Sequence, residues 1–149
     1  MDKYVDVLKR IWKSHVCPFC NEKADTILDF GKYFYVIPAR AQYCTDHILI
    51  VPKRHICLLK SLSHEELEEM MDLINKWDKK LRKHYKNISL LLRDGLSKEK
   101  IWKSVNHLHF HLIPDHIVYV MNDDDSKNRE FFDNEKYSKL AQKMKKKFS

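Results

Sequence analysis

Asn106-His107-Leu108-His109-Phe110-His111-Leu112-Ile113-Pro114 is the stretch on which the reading of this chain turns. Three histidines alternate with three apolar residues. In a strand, successive side chains point to opposite faces. A strand here therefore puts His107, His109 and His111 on one face and Leu108, Phe110 and Leu112 on the other. The apolar row suits a core. The imidazole row has no such purpose, since Val or Thr packs better at a strand surface. Imidazole titrates near neutral pH, ligates metals and can act as a nucleophile. Three in register, in a chain that also carries Cys17-Pro18-Phe19-Cys20, point to chemistry rather than to a polar outer face.

Around this stretch, length and composition set the limits. The chain has 149 residues, 44% hydrophobic and 33% charged, which fits one globular domain with a real core. No apolar run is long enough to cross a bilayer, and Met1 to Arg10 lacks the apolar region of a signal peptide, so the expected location is the cytoplasm. Paired cysteines in that compartment favour a metal site over a disulfide. The net charge of +7 suits an anionic ligand or nucleic acid, although much of it sits in the C-terminal tail.

Upstream, Tyr4, Val5, Leu8, Ile11 and Trp12 recur at helical spacing and predict a short amphipathic helix within residues 1–16. The knuckle Cys17 to Cys20 offers two thiols to one ion, but a structural zinc site needs four ligands. Cys44 and Cys57 lack such spacing and read as ordinary small buried residues. Three strands are expected next: Thr26 to Phe30, a Gly31-Lys32 hairpin turn, Tyr33 to Ile37, a loop from Ala39 to Asp46, then His47-Ile48-Leu49-Ile50-Val51. The last is almost continuously apolar and should be central. Ser63 with Glu66 makes a capping box that opens a long helix carrying Leu67, Met70, Met71, Ile74, Trp77 and Leu81 as a core stripe. A fourth strand follows from Asn87 to Arg93, then an Asp94-Gly95 turn and a loop from Leu96 to Val105. The histidine stretch is the fifth strand. Beyond Ile117, Asn122 to Ser126 reads as an acidic turn. Tyr137, Leu140, Met144 and Phe148 mark a last helix carrying Lys139, Lys143, Lys145, Lys146 and Lys147, a charge run that is more often a solvated face than a nucleic-acid site.

His107-Leu108-His109-Phe110-His111-Leu112-Ile113, together with His47-Ile48-Leu49-Ile50-Val51-Pro52-Lys53-Arg54-His55, resembles the signature of the histidine triad (HIT) superfamily of nucleotide hydrolases and transferases, over roughly Cys17 to Pro114. The resemblance implies an α+β fold: an antiparallel five-stranded meander with the long helix packed on it, plus N- and C-terminal helices. The expected division is residues 1–16, a HIT domain over 17–116 and an extension over 117–149. The resemblance also implies a homodimer and a structural zinc held by Cys17, Cys20, His55 and His107. It makes His109 the nucleophile toward an α-phosphate. His111 and His47 assist, and Ser104 and Lys103 stand in the substrate-binding loop.

Three departures from the family pattern touch substrate recognition. Ala39 stands where a ribose-binding Asp is usual, Lys103 replaces a Gln, and Asp115 follows the Pro where an Arg is common. The residues are therefore compatible with three functions. The first is a hydrolase of nucleoside phosphoramidates, dinucleoside polyphosphates or related nucleotidyl compounds. The second is a nucleotide-binding module with little turnover. The third is a protein that removes adenylate from nucleic-acid ends.

Overall fold

The computed structural model describes residues 2–95, 105–116 and 129–149. Its centre is an antiparallel five-stranded sheet built from β2 (Asp29–Phe30), β3 (Phe34–Pro38), β4 (Ile48–Pro52), β5 (Ile88–Leu92) and β6 (Phe110–Pro114). The spatial order is β2-β3-β4-β6-β5. The first three strands follow one another as a meander. The histidine-bearing β6 then slots between β4 and β5, so it is flanked on both sides.

Period-two alternation sorts β3, β4 and β6 into two clusters. Phe34, Val36, Ile48, Ile50, Phe110 and Leu112 face the long helix α2 (His64–Leu81) and meet Met70, Leu73, Ile74, Trp77 and Leu81. On the opposite face Tyr35, Ile37, Leu49 and Val51 gather with Ile27 and Ala39. Leu108 belongs to the helix-side core and is fully buried, so the apolar half of the triad stretch lies where alternation puts it.

The α2 start carries the expected capping box. Ser63 Oγ accepts from Glu66 N–H and Glu66 Oε2 accepts from Ser63 N–H. The Glu66 carboxylate also takes two hydrogen bonds from Arg54, at 2.6 and 2.9 Å, which ties the segment after β4 to the helix N-terminus. Met70 and Trp77 are core. Met71 is 48% exposed, because it falls one residue off the stripe.

Other boundaries move for local reasons. The strand expected from Thr26 is a 3₁₀ turn over Ala24–Thr26, and only Asp29–Phe30 pairs as β2. Thr26 Oγ1 donates to the Lys23 carbonyl at 2.7 Å and lies 2.5 Å from Glu22 Oε1, a local bonding pattern that competes with the strand. The hairpin turn is shifted by one residue: Gly31 N–H donates to the Phe34 carbonyl, leaving Lys32-Tyr33 between. β6 begins at Phe110, not at Asn106. Leu108 N–H donates to the Ile56 carbonyl at 2.7 Å, so His107, in a bend, and His109 precede the ladder.

Both outer segments fold onto this body. β1 (Asp2–Lys3) pairs with β7 (Glu130–Phe131), and α1 (Tyr4–Ser14) follows β1 directly. Tyr4, Val7 and Leu8 are buried, whereas Trp12 is 38% exposed. The last helix, α3 (Asn134–Lys147), buries Tyr137, Ala141 and Met144. Its lysines are partly engaged: Lys139 pairs with Glu135, Lys145 donates to the Asp25 carbonyl and Lys147 pairs with Asp46. No helix among the described residues is long and apolar enough to cross a membrane.

The hydrogen bonds from Arg54 hold the Glu66 carboxyl down at about 2 from its ordinary 4.5. A depressed carboxylate stabilises the fold above its unfolded value, and that contribution is lost as pH falls from 4.5 towards 2. Glu66→Ala should therefore lower stability by about 2 kcal/mol at neutral pH. The difference from the parent should narrow in that acid window. Urea unfolding of both proteins across the range checks it.

Candidate functional site

Four ligand-type side chains converge at one end of the sheet. Cys17 precedes the 3₁₀ turn Pro18–Asn21, and Cys20 N–H donates back to the Cys17 carbonyl at 3.3 Å, so the turn folds the two thiols together. His55 comes from the segment after β4 and His107 from the approach to β6. Their ligand atoms all lie within 4.8 Å of one another. His107 Nδ1 is 3.4 Å from Cys17 Sγ, 3.5 Å from Cys20 Sγ and 3.2 Å from His55 Nδ1, and Cys20 Sγ is 3.3 Å from His55 Nδ1. A tetrahedral ion with N and S ligands at about 2.0–2.3 Å has edges of roughly 3.3–3.8 Å. The spacing fits such an ion. The ring orientation fits too: His107 Nε2–H donates to the Pro52 carbonyl at 2.7 Å, which leaves the Nδ1 lone pair for the cluster. Burial and the adjacent Cys17 thiol push the Cys20 thiol up to about 11. A divalent cation reverses that preference by stabilising the thiolates.

From His107 the imidazoles continue in a row. The His109 and His111 ring centroids are 4.8 Å apart, and those of His111 and His47 are 5.1 Å apart. Backbone groups assign each tautomer. The His107 carbonyl can only accept, so His109 Nδ1, 2.7 Å away, carries the proton and the lone pair is on Nε2. Tyr43 N–H can only donate, so His47 Nδ1 accepts it at 3.2 Å and the His47 proton is on Nε2. That proton meets His111 Nδ1 at 2.9 Å, which puts the His111 proton on Nε2. The row thus offers a nucleophilic nitrogen on His109 beside a hydrogen-bond donor on His111. Burial drives His47 and His111 well below the ordinary histidine value, with the Arg129 and His109 charges adding to it.

His109 and His111 line a cleft. Phe19, Ile37 and Leu49 form its apolar wall with Ala39. Glu22 and Arg40 are polar groups on the same lining, and Tyr4, Leu8 and Ile11 of α1 close another side together with Arg129 and Phe131. Burial raises the Glu22 carboxyl above the ordinary range.

Of the residues expected from sequence, Cys17, Cys20, His55 and His107 come together, and His47, His109 and His111 form the row beside them. Lys103 and Ser104 lie outside the described residues, as do the loop 96–104 and the acidic turn 122–126. Ala39 is buried in the cleft wall. Asp115 is structural: its Oδ1 accepts from Asn87 N–H at 2.8 Å and its N–H donates to the Asn87 carbonyl. Cys44 and Cys57 are half-buried, and their thiols donate to the carbonyls of Pro114 and Asn106.

Phe19, Glu22, Tyr43 and Arg129 were not foreseen. Phe19 packs edge-on to both His107 and His109, at 5.8 and 5.1 Å. Its place inside the Cys-x-x-Cys was the available signal. Arg129 stands in no motif.

Residues 21–117 match the HIT domain family. Comparison with curated proteins finds no match. Among solved structures, a Zn-bound histidine triad family protein from Mycobacterium smegmatis is 21% identical with a TM-score of 0.61, over 89% of this chain and 95% of that one. A hypothetical histidine triad nucleotide-binding protein from Sulfolobus tokodaii is 20% identical with a TM-score of 0.65, over 89% and 91%. The diadenosine triphosphate hydrolase of Plasmodium falciparum is 20% identical with a TM-score of 0.58, over 86% and 82%. At these identities the likeness is one of fold.

The His47–His111 pair makes a direct prediction. Both rings should remain neutral, with the proton on Nε2, at about pH 6, below the free-imidazole value. Nitrogen-15 NMR of the ring nitrogens checks this, and a charged ring at that pH contradicts it. The sign for stability follows. Above 6.5 neither state takes up these protons. Below it the unfolded chain does and the folded one does not, so stability should decline as pH falls past 6.5.

Proposed function

The chain belongs to the HIT domain family, and on that premise we propose that it is a nucleotide hydrolase or nucleotidyl transferase that cleaves at an α-phosphate through a covalent bond to His109. The observation that carries this reading is the 2.7 Å hydrogen bond from His109 Nδ1 to the His107 carbonyl. It fixes the lone pair on Nε2 of a residue that lines the cleft. The Nε2–P bond forms as the bond from phosphorus to the leaving group breaks, and the leaving group takes the electron pair. Water then attacks phosphorus and yields its proton to solvent. The P–N bond breaks, which returns the imidazole and releases a nucleoside monophosphate. Splitting the displacement lets one group act twice.

His111 Nε2–H is the preorganised donor for charge developing on phosphoryl oxygen. His47 acts through His111: its Nε2–H holds the His111 ring in the donating tautomer. Ser104 and Lys103 are proposed as further phosphate contacts. The diadenosine triphosphate hydrolase among the structural relatives supports a nucleotidyl phosphate as substrate; phosphoramidates are proposed beside it.

Zinc is the ion proposed for Cys17, Cys20, His55 and His107, supported by their spacing and by the Zn-bound relative. Two thiolates and two imidazoles fill a tetrahedron, so the metal is structural and holds the knuckle against the triad. The domain division proposed is the family domain over 17–116 flanked by 1–16 and 117–149. The proposed setting is the cytoplasm.

A homodimer completes the reading. β5 is a sheet edge among the described residues, and Leu90 on it is 53% exposed. Such an edge invites continuation of the sheet by a second copy. Light scattering at micromolar concentration should give twice the chain mass, and a monomer mass contradicts it.

His109→Ala should abolish turnover of adenosine phosphoramidate and diadenosine polyphosphate, and abolish the nucleotidyl-peptide seen by mass spectrometry after quenching. Metal content should be unchanged. His111→Ala should slow turnover by roughly 100-fold, the scale for loss of one preorganised donor, while some labelling persists. Label on any other residue overturns the mechanism. Elemental analysis should give one zinc per chain in the parent and a loss in Cys17→Ser, with a stability drop of roughly 3 kcal/mol or more.

A further inference from the structure

We propose that Arg129, supplied from outside the family domain, recognises a second phosphate on the substrate, so that the preferred substrates carry a phosphate beyond the α-position. This rests on the α-phosphate chemistry assigned to His109. Arg129 lies beyond the 21–117 segment that matches the family, yet it lines the cleft together with His109 and His111.

Its guanidinium is held in place. Nε–H donates to the Ala41 carbonyl at 3.0 Å and an Nη2–H donates to the same oxygen. The Tyr43 ring packs with its centroid 3.8 Å from Cζ and the Tyr4 ring with its centroid 4.5 Å away. A guanidinium has five N–H donors, so three remain after these two. Among the described residues no carboxylate pairs with it, although Arg54, Lys76, Arg82, Lys139 and Lys147 all have acidic partners. A half-buried cation that no carboxylate pairs with among the described residues suits an anionic ligand. The neighbouring histidines do not supply one. His47 and His111 are neutral bases that the Arg129 charge pushes further from protonation, after burial.

The position selects which anion. Tyr43 packs against Arg129, stacks on His47 at 5.4 Å and is tilted to His111 at 6.5 Å. The order along the row is therefore metal cluster, His107, His109, His111, Tyr43, Arg129. A phosphorus attacked by His109 leaves Arg129 beyond His111, one step further from the metal, where a linked phosphate would reach. Planar, fixed and forked, the guanidinium suits bidentate contact with phosphate oxygens.

The test compares binding of adenosine diphosphate and adenosine monophosphate by calorimetry, which needs no turnover. The parent should prefer the diphosphate by roughly 10- to 100-fold, the scale of charge-assisted hydrogen bonds. Arg129→Gln should erase the preference while monophosphate affinity stays within about twofold, and that retained affinity also reports an intact cleft. Arg129→Lys should keep a reduced preference, because it keeps the charge and loses the fork. An equal loss for both ligands overturns the proposal, since Arg129 would then be holding the wall or touching the α-phosphate. An unchanged preference in Arg129→Gln overturns it as well. Turnover separates this from the mechanism: if the preference depends on Arg129 while His109→Ala stays active, the nucleophile assignment fails and this one stands. If His109 is the nucleophile and the preference ignores Arg129, the reverse holds.

Discussion

His107 is held at three points, and the site depends on all of them. One ring nitrogen donates to the Pro52 carbonyl, the other faces two thiols and a second imidazole, and the main-chain carbonyl accepts from His109. One residue therefore joins the sheet, the Cys17–Cys20–His55 cluster and His109. Its side chain is fully buried, so none of these partners can be replaced by water without loss. The tautomer of His109 follows from an oxygen whose position is set by a ring committed elsewhere.

Much of this was legible in the residues. Strict alternation from His107 to Leu112 separates imidazoles from core, and Leu108, Phe110 and Leu112 do lie in the helix-side cluster. Ser63 and Glu66 announce the start of α2, because a capping box is a local arrangement that needs no tertiary information. The family resemblance supplied what spacing alone could not, which is that His55 and His107 join the cysteine knuckle. The errors have different causes. Thr26 forms a local turn through its own hydroxyl, and Met71 misses the stripe by one position. The strand around Phe110 begins late because Leu108 bonds to Ile56, a partner far from it along the chain.

Arg129 is the extreme case. Its carbonyl acceptor and two aromatic neighbours are drawn from Ala41, Tyr43 and Tyr4, far from it along the chain. No periodicity, spacing or family motif marks it. Residues of this kind belong to the segments that flank a domain, where sequence patterns are shortest. The histidine-bearing strand is readable, whereas the walls of the cleft beside it are not.

The pairing of β1 with β7 closes the chain on itself. Asp2 sits opposite Phe131, so a ladder of two residues spans nearly the whole chain. Loop closure over that separation costs about 4 kcal/mol of chain entropy, and a two-residue ladder returns little of it. What offsets it is apolar contact, as Tyr4 and Leu8 pack on Ala41 and Phe131. In synthesis order, β1 and α1 precede the strand partner of β1 by more than the whole sheet. The sheet and the cysteine knuckle can form before that partner exists. The part of the cleft wall that α1 contributes therefore closes over a sheet that is already complete without it.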